Sequence, residues 1–121
     1  EDSTIDEERY IACKVKNRGW IVLSACSHAG ITNVCQDLMT RTSSDGATPE
    51  PIFAVIGGLH LAGPGVQDRI SLTVADLKHT IQPSLILAGH CTGWRAKAAL
   101  GVECPDQFQP LAVGATYVFH K

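Results

Sequence analysis

Three times in this chain, a run of apolar residues leads into small residues and then into a histidine. The segments are IVLSACSH (21–28), IFAVIGGLH (52–60) and LILAGH (85–90). A short, continuous apolar run is typical of a strand covered on both faces of a parallel sheet. The small residues allow backbone or a ligand to approach closely. The pattern therefore predicts several buried strands, each with a histidine at its end.

Helical patterns separate these strands, which predicts an α/β fold. Apolar residues recur at the spacing of one helical face in residues 31–39 and 70–81, and residues 94–101 form a shorter helical segment. A β-hairpin is predicted before them, because its turn contains Asn and Gly and is flanked by strand-like sequence. The other predicted strands are the two hairpin strands at 11–16 and 20–25, and late strand material at Phe108 and 115–119.

The length of 121 residues suits one domain over residues 1–121, of which residues 1–9 are expected to be flexible. A net charge of −2 gives no electrostatic basis for binding nucleic acid or an anionic membrane. No apolar run approaches the roughly 20 residues that span a bilayer. Five cysteines without a CxxC pair argue against a disulfide framework. We therefore expect a cytoplasmic protein that binds neither nucleic acid nor membrane.

The strand-end histidines are candidates for a shared site. Ligands of open α/β sheets bind at the carboxyl ends of the strands, so His28, His60 and His90 are expected to lie close together if their strands are parallel neighbours. Neutral imidazole is a common ligand for zinc, iron and related ions. A lone histidine after a strand is more often a solvated loop residue, so spacing alone leaves both interpretations open. His79 and His120 lack this context and are expected at the surface.

Cysteines beside two of these histidines offer a second chemistry. Cys91 follows His90, and Cys26 precedes His28 by two residues, so a nucleophilic Cys–His pair is conceivable. Adjacent residues on an extended segment point apart, which disfavours proton transfer between His90 and Cys91. Cys26 is interpreted as a small hydrophobic residue within an apolar pattern.

The motifs CSHAGI (26–31), GGLHL (57–61) and GHCTG (89–93) together resemble the three C-terminal motifs of the metallo-β-lactamase-fold superfamily. Their order and spacing are most similar to the branch of dihydropterin-ribofuranosylaminobenzene-phosphate synthases. The resemblance implies the C-terminal half of an αβ/βα sandwich, with a mixed sheet and flanking helices.

The resemblance also implies a metal site. His28 matches the third metal-motif histidine, and His90 matches the histidine of the last motif. His60 lies where many members carry a metal-bridging aspartate. One or two ions of zinc, iron or manganese would activate water for hydrolysis of a phosphoester or related bond. The substrate would be a small molecule, with a phosphorylated compound as one candidate.

The candidates for substrate binding follow His90 closely in the sequence and are Thr92, Gly93 and Trp94. Thr92 and Gly93 precede a predicted helix, and helix N-termini favour anions. Thr92 as a simple helix cap is the alternative interpretation. Trp94 either lines the pocket or packs the helix against the core.

The main metal motif of the superfamily, HxHxDH, does not occur in this sequence. Three explanations remain open: a partner chain that carries the N-terminal half, a fragment of a longer chain, or a stable remnant with a binding role. A halved sandwich would expose one apolar sheet face, so we expect a separate N-terminal half or a second copy of this chain to cover it. The sequence predicts part of a metallo-hydrolase that is inactive alone. The alternative is a non-catalytic interaction protein that dimerises through its exposed sheet.

Overall fold

The computed structural model describes residues 8–43 and 48–121, whose strands form one mixed sheet. Each strand lies beside its neighbour in sequence, in the order β1-β2-β3-β4-β5. The first two strands form an antiparallel hairpin, and each later strand is parallel to the one before it. The strands are β1 (Tyr10–Val15), β2 (Gly19–Ser24), β3 (Ile52–Gly58), β4 (Leu85–Gly89) and β5 (Phe108–Pro110).

Three helices connect the parallel strands. Parallel neighbours need a crossover, and right-handed crossovers that always advance to the next strand place every helix on the same face of the sheet. The α2 helix ends in a π-helical turn, Leu77–Ile81, and two 3-10 turns, Pro64–Val66 and His90–Thr92, follow β3 and β4. The helices are α1 (Ile31–Thr42), α2 (Gln67–Asp76) and α3 (Trp94–Glu103).

The two faces of the sheet differ in how they are covered. Val22, Val55 and Ile86 align across β2, β3 and β4 and belong to the main core cluster with the helices. The residues that alternate with them point to the second face, where the middle of the sheet is also buried. The second face is less buried at the hairpin, where Leu23 is 37% exposed and Ile11 is 63% exposed. An apolar strip on the second face of β1 and β2 is therefore open to solvent.

Most of the predicted elements are confirmed within a few residues. The hairpin, the three helices, the strands at β3 and β4 and the short strand at Phe108 all form. The prediction of a strand at 115–119 is wrong: this segment has no strand structure. Its Phe119 ring packs edge-on against Phe53 at 5.9 Å between ring centroids, and Arg18 Nε donates to the His120 carbonyl oxygen. Phe119 therefore serves ring packing rather than strand pairing.

Two further predictions concern the flexibility of the chain start and the lack of a membrane-spanning segment. The predicted flexibility of residues 1–9 falls mainly outside the described residues, and Glu8 takes part in the site described below. None of the helices in the described residues combines the length and the apolar composition needed to cross a bilayer. The cytoplasmic location stays a prediction.

The packing of the core predicts that alanine substitutions at two leucines near the end of α2 differ strongly in their effect on the free energy of unfolding. Leu77 is fully buried in the main cluster, whereas Leu72 is 69% exposed. Leu77→Ala should lower the free energy of unfolding by about 2–5 kcal/mol, because it removes buried methyl groups and leaves a cavity. Leu72→Ala should change it by less than about 0.5 kcal/mol. Urea denaturation of both variants measures the difference, and equal effects would contradict the described packing.

Candidate metal centre

The carboxyl ends of β2, β3 and β4 are adjacent at one edge of the sheet, as predicted. Each is followed by a loop that turns sharply, and each loop contains a non-glycine residue with left-handed backbone. The φ angles are 55° at Ser27, 51° at His60 and 48° at His90. Such conformations cost on the order of 1–3 kcal/mol each and cluster at functional sites. Two of the three candidate histidines therefore sit on strained backbone that the surrounding structure must hold.

Two glycines at the end of β3 explain why small residues precede His60. A Cβ atom at Gly57 would collide with the carbonyl oxygen of Ser24 on β2, and the φ of Gly57 is +135°. A Cβ atom at Gly58 would lie 2.6 Å from the Ala25 carbonyl oxygen and 2.7 Å from Cys91 Sγ. Only glycine permits the three strand ends to approach this closely.

Buried polar side chains tie the three loops together. Thr92 Oγ1 donates to the Gly89 carbonyl oxygen at 2.6 Å and accepts the Leu59 N–H at 3.2 Å. Ser27 Oγ donates to the Gly58 carbonyl oxygen at 2.7 Å and lies 2.9 Å from Ser24 Oγ. Within the described residues, every buried side-chain nitrogen and oxygen has a hydrogen-bond partner. The loop positions are therefore fixed by satisfied hydrogen bonds.

His28 is oriented by a carboxylate from the start of the chain. Glu8 Oε1 lies 3.1 Å from His28 Nδ1 and accepts the His28 backbone N–H at 2.7 Å, while Oε2 accepts the Ala29 N–H at 3.0 Å. Burial raises the pKa of Glu8, but these N–H groups and the His28 ring outweigh it and hold the pKa below its ordinary value. An ionised Glu8 accepts a hydrogen bond from His28 when Nδ1 carries the ring proton, and in that tautomer the lone pair lies on Nε2. Metal-binding histidines commonly have such a carboxylate partner.

The other two histidines, His60 and His90, belong to two different groups of donor atoms, and Cys26 is a member of both. The rings of His28 and His60 contact each other in a T-shaped pair with centroids 4.4 Å apart. Cys26, His28 and His60 each offer a donor atom within 4.8 Å of the others, and Cys26, His90 and Cys91 form a second such group. The structure thus brings His60 directly to His28, and it connects His90 to them through the sulfur of Cys26.

The two cysteines of this cluster contact each other. Cys26 Sγ donates to Cys91 Sγ at 3.2 Å, and Cys91 Sγ is 3.4 Å from the Cys26 carbonyl oxygen. Burial, together with the neighbouring Cys91 thiol, raises the pKa of Cys26 to about 11. The interpretation of Cys26 as a small hydrophobic residue is therefore wrong, because its sulfur lies among the histidines. The expectation that His90 and Cys91 point apart on an extended segment is also wrong, because His90–Thr92 is a 3-10 turn. The donor atoms of His90 and Cys91 lie within 4.8 Å of each other, and His90 Nδ1 is 3.7 Å from Cys26 Sγ.

These side chains fit a transition-metal ion. The described site offers imidazole nitrogens and thiol sulfurs, which are the donors that zinc prefers in proteins. The His28 ring is oriented by the Glu8 carboxylate. The side chains of the cluster are half-buried, except that of His90, which is exposed. The donor atoms are those that bind transition metals, and Glu8 orients one of the rings. Both observations favour a metal centre over three unrelated surface histidines. His79 and His120 are exposed and lie outside these groups, as predicted.

The predicted substrate-binding residues occupy three different environments. Thr92 is fully buried, and its hydroxyl connects the ends of β3 and β4 rather than capping α3. Gly93 has a φ of +78° and lies at the start of α3, where a Cβ would be 2.9 Å from Ala62 Cα. Trp94 is 73% exposed beside a shallow pocket that also includes Leu61. A substrate contact by these residues stays a prediction.

A second pocket adjoins the histidines directly. His28 and His60 line it together with Asn33 at the first turn of α1 and Arg69 on α2. A larger apolar groove lies elsewhere, between α2 and α3, and none of the three candidate histidines lines it. The smaller pocket is the better candidate for a ligand, because it contains the chemically distinctive side chains. No sequence pattern predicts this pocket, because its residues come from distant segments.

Comparisons with known proteins agree with this geometry. The 7,8-dihydropterin-6-methyl-4-(beta-D-ribofuranosyl)-aminobenzene-5′-phosphate synthase of Methanocaldococcus jannaschii is 33% identical over 105 residues, which are 87% of this chain and 33% of that protein. The crystal structure of Tm1679, a metal-dependent hydrolase of the β-lactamase superfamily, matches with a TM-score of 0.76 and 26% identity. That match covers 91% of this chain and 40% of the other. No family model matches the chain.

The chain belongs to the metallo-β-lactamase-fold superfamily. The predicted superfamily, its branch and its α/β fold with a mixed sheet are confirmed. The chain spans about a third of the length of the synthase that it matches, and the structural match covers 40% of Tm1679.

The close approach of the strand ends makes one glycine critical. Gly57→Ala should lower the free energy of unfolding by at least about 2 kcal/mol, because the new methyl group meets the β2 backbone and disfavours the native φ. Gly65→Ala is the matched control: no atom lies within 4 Å of its added Cβ, and the expected change is below about 0.5 kcal/mol. Thermal denaturation of both variants tests the comparison. A stable Gly57→Ala protein would show that the strand ends are farther apart.

Proposed function

We propose that this chain provides metal ligands for the active site of a metallo-β-lactamase-type enzyme, with His28, His60 and His90 as nitrogen ligands for zinc, iron or manganese. The observation that carries this proposal is the contact of the His28 and His60 rings beside Glu8. A solvated surface histidine has no need of a half-buried carboxylate partner such as Glu8. A metal ligand does, because the partner fixes the ring and its tautomer.

The reaction that we propose is hydrolysis of a phosphoester or a related bond in a small molecule. A bound divalent ion would supply Lewis acidity and activated water. Support comes from Tm1679, a metal-dependent hydrolase of the β-lactamase superfamily, whereas the Methanocaldococcus jannaschii relative is a synthase. The name of that synthase includes a phosphate ester, which is consistent with a phosphorylated ligand in the pocket beside Arg69.

The roles of the protein residues follow from their contacts. Glu8 holds the Nδ1 proton of His28 and so presents Nε2 for binding. Gly57 and Gly58 allow the strand ends to converge, and Thr92 fixes the ends of β3 and β4. Arg69 lines the adjoining pocket, which also contains Asp76, and its guanidinium is the group there that can pair with an anionic ligand. The chain thus supplies ligands, their orientation and part of a binding pocket.

We propose that the rest of the site comes from a segment that carries HxHxDH, on an N-terminal half chain. A second copy of this chain is the alternative partner. The open apolar strip at Ile11 and Leu23 supports an association of either kind, because exposed apolar patches mark interaction surfaces. The same strip favours the second candidate function, a non-catalytic interaction protein that dimerises through its sheet. The two functions differ in whether the chain binds metal.

Metal binding by the purified chain tests the proposed function. We expect stoichiometric binding of zinc, iron or manganese, and His28→Ala combined with His90→Ala should abolish it while circular dichroism stays unchanged. His79→Ala combined with His120→Ala removes two exposed histidines from outside the site and should have no effect. Metal content by mass spectrometry and zinc affinity by calorimetry are the measurements. A metal-free homodimer, or unchanged binding in the first double variant, would overturn the ligand assignment.

The orienting role of Glu8 gives a separate prediction. Glu8→Gln should weaken zinc binding by about 10–100-fold, because the amide keeps the size of the side chain but loses the charge and one acceptor. Glu103→Gln removes an exposed carboxylate on α3 that pairs with Lys78, and it should not change the affinity. Imidazole nitrogen shifts in NMR spectra would show a mixed His28 tautomer in the Glu8 variant alone. A fixed tautomer in that variant would contradict the role.

A further inference from the structure

The cluster around Cys26 contains more donor atoms than the three histidines supply. Cys26 Sγ is 3.2 Å from Cys91 Sγ and 3.7 Å from His90 Nδ1, and the three donor atoms all lie within 4.8 Å of one another. The same sulfur is also grouped with His28 and His60. Cys26 therefore lies at the junction of two groups of candidate ligands.

The distances are close to those of a coordinated ion. With zinc–sulfur and zinc–nitrogen bonds of about 2.3 and 2.0–2.1 Å, a tetrahedral site separates sulfur from nitrogen by about 3.6 Å and two sulfurs by about 3.8 Å. The observed Cys26–His90 separation of 3.7 Å agrees with the first value. The Cys26–Cys91 separation of 3.2 Å is shorter than the second value, so the sulfurs would move apart by about half an ångström on binding.

The position of Cys91 is built by its surroundings. Its sulfur accepts the His60 backbone N–H at 3.2 Å, and such hydrogen bonds stabilise metal-bound thiolates. The absence of a side chain at Gly58 leaves room for this sulfur, since a Cβ there would lie 2.7 Å from it. The Cys91 carbonyl oxygen also accepts the N–H groups of Leu61 and Ala62. A cysteine that only filled space would not need the hydrogen bond from His60 to its sulfur.

Other cysteines of the chain show the contrast. Cys35 and Cys104 are buried in the core cluster, where a thiol behaves as a small hydrophobic residue. Cys26 and Cys91 are half-buried at the sheet edge, next to imidazoles. This placement is that of ligands rather than of core residues.

We infer that Cys26, His90 and Cys91 form a sulfur-rich cation site beside the His28–His60 pair, suited to a thiophilic divalent ion such as zinc or cobalt. Thiol sulfur selects such ions over magnesium or calcium. Binding forms two metal–sulfur bonds and one metal–nitrogen bond, and the proton of each thiol passes to solvent. The inference deepens the proposed function and rests on it in one respect, because His90 belongs to both ligand sets.

Cobalt titration of the whole chain under reducing conditions tests the inference. We expect visible bands from the bound ion and, in addition, a near-ultraviolet sulfur-to-cobalt charge-transfer band. Cys26→Ser and Cys91→Ser should each weaken or abolish that second band. Cys13→Ser changes an exposed cysteine outside the cluster and should leave it intact.

The outcomes separate this inference from the proposed function. Visible bands that depend on His28 but lack charge transfer would overturn the sulfur site and leave the proposed function standing. Charge transfer together with visible bands that are both unchanged in His28→Ala would support the sulfur site and argue against His28 as a ligand. Zinc-edge X-ray absorption of the unsubstituted chain gives an answer that does not depend on how the variants fold. A sulfur shell near 2.3 Å supports the inference, and a shell of nitrogen and oxygen alone overturns it.

Discussion

The close approach of three parallel strand ends is the constraint on which the rest of this structure depends. Backbone of β2 touches backbone of β3 at Gly57, and the loop after β4 places Cys91 against Gly58. No side chain separates these segments, so whatever follows each strand is brought within a few ångströms of the others. The imidazoles and thiols follow directly, which is why they form a cluster.

This arrangement stores strain and offsets it with hydrogen bonds. Left-handed backbone at Ser27, His60 and His90 is unfavourable for residues with a Cβ. The buried hydroxyls of Ser27 and Thr92 offset that cost by joining one loop to the next. The result is a set of donor atoms held in place before any ligand arrives. Preorganisation of this kind is what a metal or ligand site requires.

Membership in the metallo-β-lactamase-fold superfamily agrees with this architecture and also shows what the chain contributes. It holds the sheet edge that carries the CSHAGI, GGLHL and GHCTG motifs, while its relatives are two to three times as long. A donor set of imidazoles and thiols, together with one orienting carboxylate, can bind an ion without a complete enzyme pocket. The proposed metal binding can therefore be tested separately from the proposed catalysis.

The sequence by itself determined the buried strands, the helices between them and the position of a histidine after each of three strands, because hydrophobic periodicity and small residues are local signals. That these histidines meet at one edge was decided by the strand order of the sheet. The sequence also determined the superfamily through three short motifs. Only the tertiary structure decided the pairing of Glu8 with His28, the contact of Cys26 with Cys91 and the packing of Phe119 on Phe53. These contacts join residues that are 20 to 66 positions apart, and no local pattern encodes them. They depend on strand order, on loop conformation and on the direction in which each side chain leaves the backbone.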